Sequence, residues 1–266
     1  MIYVVPSLKA KEKLQCEGKA WAESQGFTYV PRGKRTIQDL MDEYGEDFLV
    51  YSSRGPQIDR PEGSHFFSLN MAELRIQNLR KGQRDHLLEA LMGRGSSKLP
   101  ITVLDCTCGF GADAAVASFG LPTGSRVDAL EVSPLLEAVT SWGFSHFVHK
   151  KDDVTAALRR ISLRHGDYRD YLLSDEGPVY DVLYFDPMFQ RPVEASCQFQ
   201  PVRAIMEHGG LTRDLIERAL QKARRRVVIK ERDFRQLCRD FPEVTLYGGK
   251  YSRIGYAVLE CDSWKK

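Results

Sequence analysis

No two cysteines in this 266-residue chain have the C-x-x-C spacing, and the six present, at 16, 106, 108, 197, 238 and 261, are scattered. Cys106 and Cys108 form a C-x-C at the end of a strand-like run, with no second pair at ligand distance, so no metal site is expected. Cysteines used this way fit a reduced, cytoplasmic protein. Long apolar runs are also missing: nothing approaches the roughly 20 residues of a membrane span. The apolar start of "MIYVVPSLKAKEK" is too short for a signal peptide. Charge of one sign is scarce, with 38 basic against 36 acidic residues and a net +2. So small a balance neither requires nor excludes a nucleic-acid partner, because local clustering matters more than the sum. The sequence shows no repeat and no low-complexity tract.

What is present suffices for a full core: 42% of residues are hydrophobic and 28% charged, ordinary for a globular protein. Residues 1–78 read as a small α+β module. "YVVP", "FTYVP" and "DFLVYSS" are strand-like, "KAKEKLQCEGKAWAESQG" is a helix closed by Gly26, and "TIQDLMDEYG" is a short helix. "RGPQIDRPEGSHFF" is rich in turn formers and predicts hairpin or loop structure. In residues 79–266 the pattern changes. After the helical "HLLEALMG", the runs "ITVLDC", "RVDALEV", "ISLRHGD", "VLYFDP" and "RRVVIK" alternate with helical segments, which predicts a parallel sheet covered on both faces. "EVTLYGG" and "GYAVLEC" are close enough together for an antiparallel pair. The expected fold is therefore α/β, Rossmann-like: a mostly parallel seven-stranded sheet ending in an antiparallel hairpin, as in class I S-adenosyl-L-methionine-dependent methyltransferases.

In such sheets the ligand lies beyond the C-terminal ends of the strands, near the point where the strand order reverses. The first strand ends in "DCTCGFGAD". Gly109 and Gly111 allow close backbone approach, Asp105 stands at the strand tip, and Asp113 opens the next helix. A G-x-G alone is a weak signal, and Ala114 departs from the full dinucleotide pattern. The second strand ends at Glu131, 20 residues beyond Gly111, where a carboxylate suits both hydroxyls of a ribose. The third ends at Asp167, which fits an adenine amino group or a helix cap. Three acidic tips in succession favour a cofactor with free ribose hydroxyls. The glycine turn lacks the Lys and Ser/Thr of a P-loop, so triphosphates are disfavoured. S-adenosyl-L-methionine fits best.

The fourth strand ends in Asp186-Pro187-Met188-Phe189. Amino-group methyltransferases carry [DN]-P-P-[YF] at this place. The chemistry explains the residue types, since an amine conjugated to a ring is a poor nucleophile. Asp186 and the Pro187 carbonyl can accept its two N–H bonds and aim the lone pair, while Phe189 can stack on a flipped base. An Asx-type turn with Phe189 buried would use the same residues.

Taken in order, "LDCTCGFGADAAVAS", "ALEVSP", "YFDPMF" and "VVIKERDF" resemble the RsmJ-type family of small-subunit ribosomal RNA guanine-N2 methyltransferases. The resemblance spans roughly residues 80–262, and "DPMF" is its most specific piece. Upstream, "FFSLNMAELRIQNLRKGQRDHLLEAL" is similar to bacterial relatives of that family, with Ser68-Leu69 in place of His-Pro. The resemblance implies cofactor contacts at Ala112, Asp113, Glu131, Val132, the Gly166-Asp167 pair and Asp186. At the third strand the family carries Ser-Ser where this chain has Gly166-Asp167. It also implies an RNA partner, whereas residues 1–78, which differ from the family's N-terminal part, are read as a module for RNA or substrate recognition from the basic clusters in and beside them.

Basic clusters at "PRGKR" (31–35), "LRKGQR" (79–84), "LRR" (158–160) and "KARRR" (222–226) would track a phosphate backbone if folded onto one side. Each alone equally suits a solvated face. The long stretch 190–210 after the fourth strand suits one wall of a substrate pocket. Lys230 either meets a substrate phosphate or caps its strand. DNA, a protein side chain or a small amine stay open as substrates, as does an RNA-binding protein that has lost methyl transfer.

Overall fold

The computed structural model describes residues 1–93, 99–187, 210–248 and 254–263. The chain forms two compact units, one comprising Met1–Ser68 with Ser133–Phe147, the other Leu69–Val132 with the described parts of 148–192 and 207–266.

The first unit begins with β1 (Tyr3–Pro6), α1 (Glu12–Ser24), β2 (Thr28–Tyr29), α2 (Ile37–Tyr44), β3 (Phe48–Ser52), β4 (Gly55–Arg60) and β5 (Gly63–Phe66). The strands lie in the order β2-β1-β3-β4-β5, with β1 parallel to both neighbours and β3 to β5 an antiparallel meander. The stretch read as turn-rich is thus the β4–β5 hairpin. Helix α2 starts on a capping box, in which the Thr36 hydroxyl accepts from the Asp39 N–H and Asp39 reaches back to the Thr36 N–H. The helix buries Leu40 against Val5, Phe48 and Val50.

The second unit contains α3 (Asn70–Arg80), α4 (His86–Met92), β6 (Thr102–Asp105), α5 (Ala112–Gly120) and β7 (Arg126–Glu131). Helix α6 (Pro134–His146) follows in sequence but clusters with the first unit. The second unit resumes with α7 (Asp152–Leu158), β8 (Ile161–His165), α8 (Tyr168–Leu173), β9 (Val182–Phe185), α9 (Arg213–Lys222), β10 (Arg226–Glu231), α10 (Arg235–Asp240), β11 (Thr245–Gly248) and β12 (Gly255–Glu260). Among the described residues its sheet has seven strands, in the order β11-β12-β10-β9-β6-β7-β8. Strands β6 to β10 are parallel, and β12 runs antiparallel to both β10 and β11. This is the expected fold, with the refinement that the last strand inserts inside the sheet and leaves β11 at its edge.

The order reverses between β6 and β9, so the chain leaves these neighbours towards opposite sides and opens a crevice at their C-terminal ends. Their register is pinned at the other end. Asp181 accepts from the Thr102 N–H at 2.8 Å and hydroxyl at 2.9 Å, and its own N–H donates to that hydroxyl. All four residues of β9 are buried, which is why the run reads as continuously apolar.

Helix α6 packs on β4 within the first unit. Its Gly143 faces the ring of Phe67, where a side chain would collide, and Phe67 also packs edge-on against Phe144 and Phe147. A Cβ at Gly55, in β4, would lie 2.6 Å from the Trp142 ring. The two missing side chains let the helix close onto this unit.

Candidate active site

The loop after β6 is shaped by its glycines. Gly109 and Gly111 have φ of +55° and +75°, a region L side chains avoid, and Gly111 is the N-cap of α5. A Cβ at Gly109 would meet nothing nearer than 3.9 Å, so conformation and not crowding requires that glycine. The Glu131 carboxylate, buried at the tip of β7, accepts from the Gly109 N–H at 2.8 Å. Asp105 is buried at the tip of β6 and accepts from the Thr107 N–H at 3.1 Å. Burial pushes its carboxyl well above the ordinary range, with the Thr107 bond opposing.

At the tip of β9 the Asp186 N–H donates to the Thr107 hydroxyl at 2.6 Å, which ties this strand end to the loop of its neighbour. The Asp186 carboxylate meets Lys230, from β10, at 2.7 Å. The same ammonium lies 2.8 Å from Asp113, in the first turn of α5. Asp113 further accepts from Arg75 of α3 at 2.5 Å and from the Tyr184 hydroxyl at 2.7 Å. Both oxygens of Asp85, the N-cap of α4, bind Arg75 at 2.8 Å.

The two carboxyls on Lys230 differ in their surroundings. Burial would raise Asp113, but Lys230, Arg75 and the Tyr184 hydroxyl hold it well below the usual range. Asp186 has one cation, and burial together with the neighbouring Asp113 pushes it up to about 6 against the pull of Lys230. Burial would lower Lys230, yet the two carboxylates keep it above its ordinary value. The arrangement is thus a pinned acceptor group beside a glycine turn, at a crevice edged with carboxylates.

Residues 64–254 match the model of the SAM_MT family, described as "Putative SAM-dependent methyltransferase". This chain belongs to that family. Its cofactor is S-adenosyl-L-methionine, and the end of the sheet fits that molecule: acidic acceptors for hydroxyl and amino groups stand at the tips of β6, β7 and β9, around a turn that brings backbone close.

Relatives of this methyltransferase include the "Uncharacterized protein YpiP" of Bacillus subtilis, 29% identical over 86% of this chain and 88% of that one. "Ribosomal RNA small subunit methyltransferase J" of Marinobacter nauticus is 28% identical over 72% of this chain and 66% of its own length. The protein of that name from Thioalkalivibrio sulfidiphilus is 30% identical over 59% and 61%. Among solved structures, the SAM-dependent methyltransferase NGO1261 of Neisseria gonorrhoeae has the same fold, with a TM-score of 0.62, 18% identity and coverage of 97% and 95%.

Several residues singled out from the methyltransferase sequence come together here: Asp105, Gly109, Gly111, Ala112, Asp113, Glu131 and Asp186, with Pro187 next to the last. Asp113 does more than face a helix dipole, since both its oxygens bind side chains. Gly166 donates its N–H to the Glu131 carbonyl at 3.0 Å, and the Val132 carbonyl lies 3.0 Å from His165 Nε2. The Asp167 side chain forms the helix cap, accepting from the Arg169 N–H and pairing with its guanidinium. Lys230 follows neither expectation, because its ammonium is used inside the site. Met188, Phe189 and 190–209 lie outside the described residues. Thr107, Arg75, Asp85 and Tyr184 were missed; only Asp85, standing just before an apolar helical run, carried a signal, that of an N-cap.

Among the described residues no group of His, Cys, Asp and Glu could hold a metal ion, and no helix is long and apolar enough to cross a membrane. Part of each basic cluster is bound within the chain. Arg32 is buried and donates to the Arg35 carbonyl, while Arg35 binds Glu43, Tyr44 and the Pro31 carbonyl. Arg80 pairs with Asp153, Arg160 donates to the Ser118 carbonyl, Lys222 to the carbonyls of Tyr171 and Ser174, and Arg226 pairs with Glu260.

Proposed function

We propose that this methyltransferase modifies the exocyclic amine, N2, of a guanine in ribosomal RNA. The observation that carries the reading is the Asp186-Pro187 acceptor pair at the end of β9, fixed to the loop of β6 through the Thr107 hydroxyl. The likeness to two proteins named ribosomal RNA small subunit methyltransferase J supports the RNA part.

When bound, S-adenosyl-L-methionine supplies an electrophilic methyl group. In this reading Glu131 holds ribose hydroxyls, the backbone from Gly109 through Asp113 borders the cofactor, and Asp105, Val132, Gly166 and Asp167 line the remainder. The Asp186 carboxylate and Pro187 carbonyl accept the two N–H bonds of the amine. Those bonds pull the nitrogen towards tetrahedral geometry and free its lone pair. With its carboxyl near 6, Asp186 is charged at neutral pH and still basic enough to hold the proton that the nitrogen sheds. Phe189 is assigned the stacking of the base. Residues 1–78 are assigned recognition of the RNA, a role supported by exposed Arg54, whose guanidinium lies 3.7 Å over the Phe66 ring.

Radiolabelled methyl transfer to ribosomal RNA and to small subunits, with Asp186→Ala beside the wild type, tests the proposal. The variant should lose at least about 100-fold in rate, and digestion of the product should release N2-methylguanosine. Label that survives nuclease treatment would point to a protein or small amine, and an unimpaired variant would remove Asp186 from the mechanism.

A further inference from the structure

Lys230 is buried between two carboxylates, and neither cofactor binding nor amine recognition requires a cation there. The sheet puts it in place. Ile229 pairs with Phe185, so Lys230 and Asp186 follow side by side at the ends of adjacent parallel strands. The ammonium bonds Oδ2 of Asp186 at 2.7 Å and Oδ2 of Asp113 at 2.8 Å. Beyond Asp113 the chain of alternating charge continues through Arg75 to Asp85, which is fixed as a helix cap. A lysine is a long, mobile side chain, and anchorage on Asp113 from behind makes it a fixed point.

The groups around Asp186 come from four strands and a helix: Lys230 and Glu231 of β10, Asp113 of α5, Asp105 of β6, Tyr184 of its own strand and, behind Lys230, Tyr256 of β12. Apart from Lys230 these are acidic or neutral. Asp113 would keep Arg75 if Lys230 were lost, whereas Asp186 has no other cation bonded among the described residues. The loss would therefore fall on Asp186. Lys230 occupies Oδ2, and among the described residues no donor reaches Oδ1.

We propose that Lys230 is a positioning residue for methyl transfer: it fixes one oxygen of Asp186, keeps the carboxylate charged, and leaves Oδ1 to take the substrate N–H. The proposal rests on the reading of Asp186 as the amine acceptor.

The test uses the full chain labelled with carbon-13 at aspartate carboxyls, with the Asp186 signal identified by its loss in Asp186→Asn. Its titration midpoint is compared in wild type, Lys230→Met, Lys230→Arg and Asp113→Asn. The midpoint should rise by a pH unit or more in Lys230→Met and stay near wild type in Lys230→Arg. It should fall in Asp113→Asn, where a neighbouring negative charge is gone and Lys230 serves Asp186 alone. In methyl transfer, Lys230→Met should lower kcat about 100-fold at neutral pH with KM for the cofactor little changed, and should shift the acid limb upward with the carboxyl. A midpoint unmoved in Lys230→Met overturns the proposal. Should that variant not fold, a midpoint in Asp113→Asn that stays or rises does so instead. Because the titration needs no substrate, the two readings separate. Shifted midpoints without transfer to any RNA reject the proposed substrate alone, and active transfer with unshifted midpoints rejects the role of Lys230 alone.

Discussion

Glu131 closes the glycine turn through the Gly109 N–H and, in the proposed reading, also takes the ribose hydroxyls. A hydrogen bond to a charged group contributes about 1.5–3 kcal/mol, so Glu131→Ala should weaken binding of S-adenosylhomocysteine about 10- to 150-fold. Calorimetry reads this directly, and an affinity within twofold of wild type would take the ribose contact away from Glu131. Residues of this kind were legible in the sequence because each stands alone at the end of an apolar run, and position on the strand suggests the task. Lys230 was not legible in the same way. Its partners lie 44 and 117 residues away, and only the strand order makes them neighbours. Arg75 was further hidden, since nothing near it in sequence resembles a site.

Elements were legible where local signals agreed with burial. Strands β6, β7, β9 and β10 are mostly buried and bounded by turns, and the spacing of the last two strands gave an antiparallel pair. Helix α3 escaped because Leu69 at its N-cap offers no side-chain bond, and tertiary packing of Ala72 and Ile76 takes the place of a start signal. Helix α6 was legible as a helix, but its fit to Phe67 and β4 was not, because that fit depends on Gly143 and Gly55, whose meaning is spatial. Gly143→Ala tests that fit. Helix propensity favours alanine by about 1 kcal/mol, while forcing a methyl into the Phe67 ring, itself held by Phe144 and Phe147, costs about 1–3 kcal/mol or more. The collision is severe and the ring has aromatic neighbours on two sides, so the variant should be net destabilised by about 1–2 kcal/mol. Thermal unfolding that shows equal or higher stability would mean that Phe67 can give way.

At the scale of the whole molecule, the fold class followed from the alternation of elements, whereas the electrostatic surface did not follow from charge runs. Runs such as 31–35 and 222–226 are local properties of the chain, but burial of Arg32 and Arg226 and the capping by Lys222 are set by distant packing. The same non-local order joins the cofactor end of the sheet to the stability of its unit. A ligand that binds only the folded state adds about 2.7 kcal/mol at 100 times its Kd. For a domain of 150–250 residues this corresponds to a Tm rise of about 5–11 °C. S-adenosylhomocysteine at that concentration should produce such a rise in the wild type. In Glu131→Ala, if affinity falls about 100-fold, the same concentration equals Kd, and the gain shrinks to about 0.4 kcal/mol, or about 1–2 °C. Differential scanning calorimetry of both proteins, with and without ligand, separates the cases. An equal shift in both would place the ribose contact elsewhere on the sheet edge, and no shift in the wild type would count against binding at this end of the sheet.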